Sequence, residues 1–184
     1  VLGSASSKTA FGVAHLLARR DGIRVAGLTS AGNVDFVQSL GCYDDVITYD
    51  DAASLPDGPA VFVDMSGNSA VVQSVHERYG DDLAYSSAVG LTHWEDFGDR
   101  EGGVLPGPRP EMFFAPAQVE KRRADWGPGG LEARMADAWT AFVDAVSGWV
   151  TVEHLTGPES VREVWSRLVD GAACPDTAQV LHTN

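Results

Sequence analysis

Apolar positions recur at three- and four-residue steps from Ser7 to Arg20, at Ala10, Val13, Ala14 and Leu17, before Gly22 interrupts them. That spacing predicts an amphipathic helix. The pattern then changes period: Ile23 to Leu28 is a short β-branched run closed by the Thr29-Ser30-Ala31-Gly32-Asn33 turn, and it predicts a buried strand. A short helix follows over Asp35–Leu40, then small strands at Val46–Tyr49 and Ala60–Val63, the latter wholly apolar, as a strand covered on both faces should be. Val71, Val72, Val75 and Tyr79 mark a helix over Ser69–Tyr79, and Leu83–Val89 a further strand. Strands alternating with helices predict right-handed crossovers and an α/β, Rossmann-like, doubly wound parallel sheet with helices on both faces.

The second half is punctuated differently. Gly and Pro crowd the stretch from Gly98 to Pro116, which predicts a loop serving as lid or linker. A long helix over 130–147 follows, with Leu131, Met135, Ala138, Trp139, Phe142, Val143 and Val146 forming a stripe expected to face a core. Trp149–His154 predicts a strand, and Pro158 suits the first turn of a last helix whose Val161, Val164, Trp165 and Leu168 should point inward. Val180 and Leu181 are placed in a final short strand. The expected division is a dinucleotide-binding domain over 1–148 and a C-terminal helix and strand segment over 149–184.

Bulk properties narrow the functional classes. A formal charge of −13 over 184 residues argues against nucleic acid or an anionic membrane as partner, because phosphate binding relies on Lys and Arg. No apolar run is long enough for a membrane span and no signal-peptide layout opens the chain, so the cytoplasm is the default compartment. Cys42 and Cys174 lie far apart in sequence and in no metal-like cluster, which favours reduced thiols. The chain opens at Val1, without Met, on what reads as the end of a buried strand, and so is expected to be a fragment of a longer two-domain protein.

The candidate chemistry sits where the first strand meets the first helix, in Gly3-Ser4-Ala5-Ser6-Ser7-Lys8-Thr9. A helix that starts there offers unpaired N–H groups and the positive end of its dipole to a phosphate. Hydroxyls and a lysine occupy the place that glycines usually take; the alternative is that Ser6 or Ser7 simply caps the helix. An ATPase-type phosphate loop fails on spacing, since Ser7 and not Gly stands immediately before Lys8-Thr9. Asp64 is placed either against a ribose hydroxyl or as a cap of the turn that follows. Tyr85-Ser86-Ser87 lacks the lysine of a Tyr-Lys-Ser reductase triad, His93 is a loop residue within reach of an acid or base role, and Lys121-Arg122-Arg123 reads as a solvated helix face or a binder of acidic groups. No Ser-His-Asp order and no metal-ligand spacing stands out, so no metal and no catalytic residue is assigned.

The succession of this turn, Leu28-Thr29-Ser30, FVQSLGCYDDVITYDD and VFVDMSGNSAVVQSVHERYGDDLAYSSAVG resembles the cofactor domain of medium-chain dehydrogenases/reductases, in particular the zinc-free quinone-oxidoreductase-like branch. The later FFAPAQVEKRRADWGPGG and WVTVEHLTGPESV resemble an uncharacterised domain-of-unknown-function family allied to it. The resemblance implies an NADP(H)-leaning oxidoreductase acting on a carbonyl or activated alkene. It places Gly3, Ser4, Ser6, Ser7, Lys8 and Thr9 at the pyrophosphate, and Thr29, Ser30 and Asn33 at the adenosine ribose. Asp64, Met65, Ser66 and Gly67 fall beside adenine and ribose, and Ser87, Val89 and Gly90 beside the nicotinamide. Ser30, where NAD-specific relatives carry an acid, leans toward NADP, with NAD as the alternative; the family's turn glycines correspond to Ser7, Lys8 and Ala10. It also implies that the chain beyond Trp149 completes a separate, N-terminal catalytic domain. The partner is a small-molecule substrate, with homodimerisation open, and the rival functional reading is a non-catalytic Rossmann-like binding or interaction module whose cofactor turn has degenerated.

Overall fold

The computed structural model describes residues 1–90 and 105–182. It divides into two compact units, Val1–Asp137 and Ala138–Asn184, the division falling inside a helix that runs from Gly130 to Val146.

In the first unit the chain forms α1 (Lys8–Leu17), β1 (Ala26–Thr29), α2 (Val34–Ser39), β2 (Asp45–Thr48), β3 (Ala60–Asp64), α3 (Ser69–Tyr79), β4 (Leu83–Ala88), β5 (Glu111–Met112) and α4 (Ala115–Trp126). β1 pairs with β2, β3 with β4 and β4 with β5, all parallel. Leu2 is the stitch between the two halves, bridging in parallel to Gly27 on one side and Val63 on the other. Leu2 N–H donates to Ala26 O at 2.8 Å and Leu28 N–H to Leu2 O at 2.9 Å, while the residues on either side of Leu2 bond to β3, Val63 N–H donating to Val1 O and Gly3 N–H to Val63 O, both at 2.9 Å. The spatial order is therefore β2, β1, Leu2, β3, β4, β5. The chain works outward on one side of Leu2, then crosses back to the other, which is the doubly wound Rossmann-like arrangement.

Because right-handed crossovers taken in opposite directions put helices on opposite faces, each face of this sheet finds cover. α1 and α2 meet through an edge-to-face contact between Phe11 and Phe36, ring centroids 6.2 Å apart. On the other face Ala26, Leu28, Phe62 and Leu83 join Val71, Val72, Val75 and Tyr79 of α3, with Ala52 and Leu55 of the 3-10 segment after β2, in one buried cluster. β1 alternates accordingly. Ala26 and Leu28 enter that cluster, whereas a Cβ on the intervening Gly27 would stand 2.8 Å from Ala5 Cβ and from the Tyr43 ring. Only glycine lets the turn after Leu2 and the Tyr43 ring lie this close to the strand.

Several expectations shift. The strand placed at Ile23–Leu28 begins only at Ala26, with Ile23 exposed and Arg24 drawn into a two-pronged ion pair with Asp45 at 2.7 Å. The stretch from Leu105 to Pro116 is not all loop: Glu111 and Met112 add to β4 as an edge strand, anchored by Phe113 N–H on Ala88 O at 2.8 Å, and α4 starts at Ala115. Residues 98–104 of that expected loop lie outside the described residues.

In the second unit β6 (Thr151–Thr156), α6 (Pro158–Val169) and β7 (Thr177–His182) form a single crossover, β6 and β7 pairing in parallel from Thr151↔Thr177 to Thr156↔His182. The helix Gly130–Val146, α5, does not carry the buried stripe expected of it: Leu131 is buried, but Met135 and Trp139 are exposed. The same correction applies to α6, where Val164 is buried and Trp165 and Leu168 face solvent. Periodicity identified the apolar face of each helix correctly, but it carries no information on whether an element is present to cover that face. Among the described residues no helix is long and apolar enough to cross a membrane.

Candidate functional site

The turn between Leu2 and α1 is built on hydroxyls. Ser4 holds φ at 52°, the left-handed region that a Cβ disfavours, so the position that behaves like a glycine is Ser4 and not Ser7, Lys8 or Ala10. Ser7 N–H donates to Ser4 O at 2.8 Å and closes the turn, and the Ser7 side chain, in extended backbone, accepts from Ala10 N–H at 3.2 Å. Ser7 is thus the helix cap that local sequence offered as the alternative. Ala10 is wholly buried on the inner face of α1, where a Cβ is an asset.

Side chains from elsewhere brace this turn. Tyr43 O–H donates to Ala5 O at 2.9 Å, Tyr49 O–H to Ser4 Oγ at 3.4 Å, and Asn33 Nδ2 to Ser6 Oγ at 3.2 Å. Burial, with the nearby Cys42, pushes the Tyr43 phenol up, keeping it a neutral donor. Asn33 thus reaches the turn, while Ser30 is exposed and gives no side-chain cap to the turn that follows it. Thr29 is wholly buried at the end of β1, and its Oγ1 is one of the described buried side-chain atoms without a hydrogen-bond partner. Lys8 and Thr9 are exposed on the first turn of α1.

The ends of β3 and β4 form the other wall. Asp64 is buried, and its two oxygens close the next turn: Oδ1 accepts from Ser66 N–H at 3.0 Å and Oδ2 from Gly67 N–H at 2.9 Å. Val89 N–H and Gly90 N–H both donate to Asp64 O, at 2.8 and 3.2 Å, and a Cβ on Gly90 would overlap the Met65 carbonyl. Gly90 is required there by close backbone approach. Ser87, buried, lines a small cleft with Asp64, Gly67 and Pro110. Gly3 faces the same wall: its N–H donates to Val63 O at 2.9 Å, and a Cβ on it would meet Asp64 Oδ1 at 3.4 Å.

His76 had no signal in the sequence beyond a place on a helix. It is wholly buried, with Nδ1 2.8 Å from Pro106 O and Nε2 2.9 Å from Ser86 Oγ. A carbonyl only accepts, so Nδ1 carries the hydrogen and Nε2 accepts from the Ser86 hydroxyl. One imidazole thereby ties α3, β4 and the strand of chain leading to β5. Two members of the basic cluster are paired: Arg122 with Asp125 at 2.9 Å, lying also over the Trp126 ring, and Arg123 with Glu132 at 3.1 Å. His93 lies outside the described residues.

The parallel sheet and its reversal at Leu2 define a Rossmann-like α/β protein, with polar turns at the carboxyl ends of its strands, the position at which such sheets take ligands. The chain belongs to the family described as "Protein of unknown function (DUF2855)", whose model matches residues 1–174. No curated protein matches it. Among solved structures it is similar to YhdH of Escherichia coli K-12 with bound NADPH, at a TM-score of 0.57 and 16% identity over 100% of this chain and 54% of that one. It is equally similar to the yhdH oxidoreductase of Salmonella enterica in complex with NADP, at 0.57 and 16%, covering 53% of that chain. The chain thus spans about half the length of these two neighbours.

Proposed function

We propose that the chain is the nucleotide-binding part of an NADP(H)-leaning oxidoreductase of the zinc-free medium-chain type, passing hydride between nicotinamide and a carbonyl or activated alkene. The observation that carries this reading is the convergence of the Gly3–Ser7 turn with the Asp64–Gly67 and Ser87–Gly90 ends of neighbouring strands, where α1 begins. The polar turns suit a dinucleotide. Ser4 and Ser6 each accept a hydrogen bond from the protein and retain a hydroxyl hydrogen to donate, and the first turn of α1 adds backbone donors for a pyrophosphate. The orphaned Thr29 hydroxyl and the uncharged Ser30 and Asn33 stand at the end of β1, where an acidic side chain would repel a 2′-phosphate. Both solved neighbours carry this cofactor by their own descriptions, which supports the lean toward NADP over NAD.

When bound, the nicotinamide supplies the hydride chemistry. The chain's own residues bind and orient: Ser4, Ser6, Ser7, Lys8 and Thr9 hold phosphate oxygens, Asp64, Met65, Ser66 and Gly67 flank adenine and ribose, and Ser87, Val89 and Gly90 shape the nicotinamide end. The same reading assigns residues from 149 onward to a catalytic domain completed by further chain, which would cover the exposed Val152 and Val180 of the β6–β7 pair.

Titration with NADPH and NADH, followed by nicotinamide fluorescence and thermal melting, tests it. At a concentration about a hundredfold above Kd, NADPH should stabilise by about 2.7 kcal/mol. Lys8→Ala should weaken binding by about twofold to fivefold, the range for an exposed charge. The rival reading, a binding module without cofactor, draws on Ser7 and Asp64 being engaged in capping, and no response of the full-length protein to either nucleotide would overturn the first.

A further inference from the structure

We propose that Tyr49 and Asn33 are positioning residues that hold the hydroxyls of Ser4 and Ser6 as hydrogen donors to a diphosphate, so that this turn binds its anion through serine hydroxyls instead of through glycine backbone. The inference rests on the nucleotide reading above and names what that site reads.

Ser4 carries the argument. Its φ of 52° is backbone that glycine adopts freely and that a Cβ disfavours. Glycine there would relax the turn, yet the chain keeps serine. Strain of this kind persists where the surrounding structure holds it, and it clusters at ligand sites. The hydroxyl is the group that glycine would lack, and Tyr49 reaches it, O–H to Ser4 Oγ, at 3.4 Å. Tyr49 opens the 3-10 segment after β2, and its ring packs on the buried cluster that includes Leu28 and Phe62.

Asn33 acts on Ser6 from the turn after β1, its Nδ2 donating to Ser6 Oγ at 3.2 Å. An amide nitrogen only donates, so the Ser6 oxygen accepts and its own hydrogen is turned elsewhere. The carbonyls of the turn are already engaged, Ser4 O by Ser7 N–H at 2.8 Å and Ala5 O by Tyr43 O–H at 2.9 Å. Two hydroxyl hydrogens are thereby left for a ligand beside the first turn of α1, whose dipole favours an anion. A third hydroxyl stands on the same side of the sheet. Side chains alternate along β1, so Thr29 shares a face with Gly27, the face that meets Ala5 and the Tyr43 ring. Thr29 is wholly buried, and its Oγ1 has no partner among the described residues. A cluster of donors is matched by a group that only accepts. An ionised diphosphate is such a group, and hydrogen bonds to charged oxygen are roughly twice as strong as neutral ones.

Ser4→Gly separates hydroxyl from backbone. It removes the donor while easing φ, so the melting temperature of the full-length protein should hold or rise while NADPH binding, followed by nicotinamide fluorescence, weakens roughly tenfold. Tyr49→Phe and Asn33→Ala should each weaken binding roughly threefold or more. Tyr49→Phe should add nothing in the Ser4→Gly background, and Asn33→Ala nothing in the Ser6→Ala background, because each acts through the serine already removed. Ser4→Gly binding NADPH as tightly as the unsubstituted protein, or a Tyr49→Phe loss that persists undiminished on Ser4→Gly, overturns the proposal and leaves the nucleotide reading standing. No NADPH binding by the unsubstituted protein overturns both.

Discussion

Two parallel pairings in this chain have opposite fates. In the first unit Leu28 and Phe62 are fully buried at the centre of the sheet, whereas in the second Val152, on an equally regular parallel strand, is 55% exposed. Strand composition separates them only in part: β3 is apolar up to Asp64, while β6 interposes Glu153 and His154 between Val152 and Leu155. The number and direction of crossovers completes the separation. The first unit crosses one way to β1 and β2 and the other way to β3 and β4, so helices lie on both faces; the second has one crossover, α6, and hence one covered face. Parallel pairing gains its stability from cover on both sides. A two-stranded parallel pair therefore draws little from its own core.

The largest expected effect that tests this contrast is Phe62→Ala. Removing a wholly buried ring from β3 should cost about 3–5 kcal/mol. Chemical denaturation followed by circular dichroism should show the loss as a lowered midpoint of the main transition, and a change below about 1 kcal/mol would remove the first unit's core from its assigned place. His76→Leu comes next. It keeps an apolar volume but leaves Pro106 O and Ser86 Oγ buried without their partner, at about 1–3 kcal/mol. The loss should be local as well as global: hydrogen exchange at Phe113 N–H, which holds β5 to β4, should quicken in the variant. Unchanged exchange there would mean that the imidazole does not tether this segment.

The two units also differ in how far they could be read from sequence. Leu28, Phe62, Val71, Val75 and Leu83 announce the first sheet because each apolar run meets a partner that is itself an apolar run. β5 was illegible. Two residues behind Pro110 form a strand through backbone bonds to β4, with the Tyr85 hydroxyl donating to the Glu111 carboxylate, and no run of apolar side chains encodes either. The braces of the candidate turn, Tyr43, Tyr49 and Asn33, were illegible in role for the same reason: each acts across 27 to 45 residues of sequence through one polar atom. The left-handed residue of that turn was illegible: the glycine positions of the resembled family correspond to Ser7, Lys8 and Ala10, while the backbone bends at Ser4. In α5 and α6 the periodicity was read correctly and the burial was not. A stripe of Met135 and Trp139, or of Trp165 and Leu168, states what a helix can bury, and only the surrounding chain decides whether it does.

The smallest effect is the sharpest check on that last point. Trp165 is 68% exposed on α6, so Trp165→Ala removes little buried area and should shift stability by about 0.5 kcal/mol or less. By side-chain size alone Trp165 and Phe62 would rank together as core residues. The structure separates them by burial, and the separation should appear as a several-fold difference in their effects. If Trp165→Ala instead cost as much as Phe62→Ala, α6 would be covered in solution by a surface outside the second unit, and the tryptophan would mark where that surface sits. The comparison with Val164→Ala distinguishes the two cases. Val164 is buried at 5% beneath the same helix, so its truncation should destabilise more than that of the larger, exposed Trp165. An inverted order would assign the outer face of α6, rather than its inner one, to the packing that holds the second unit together.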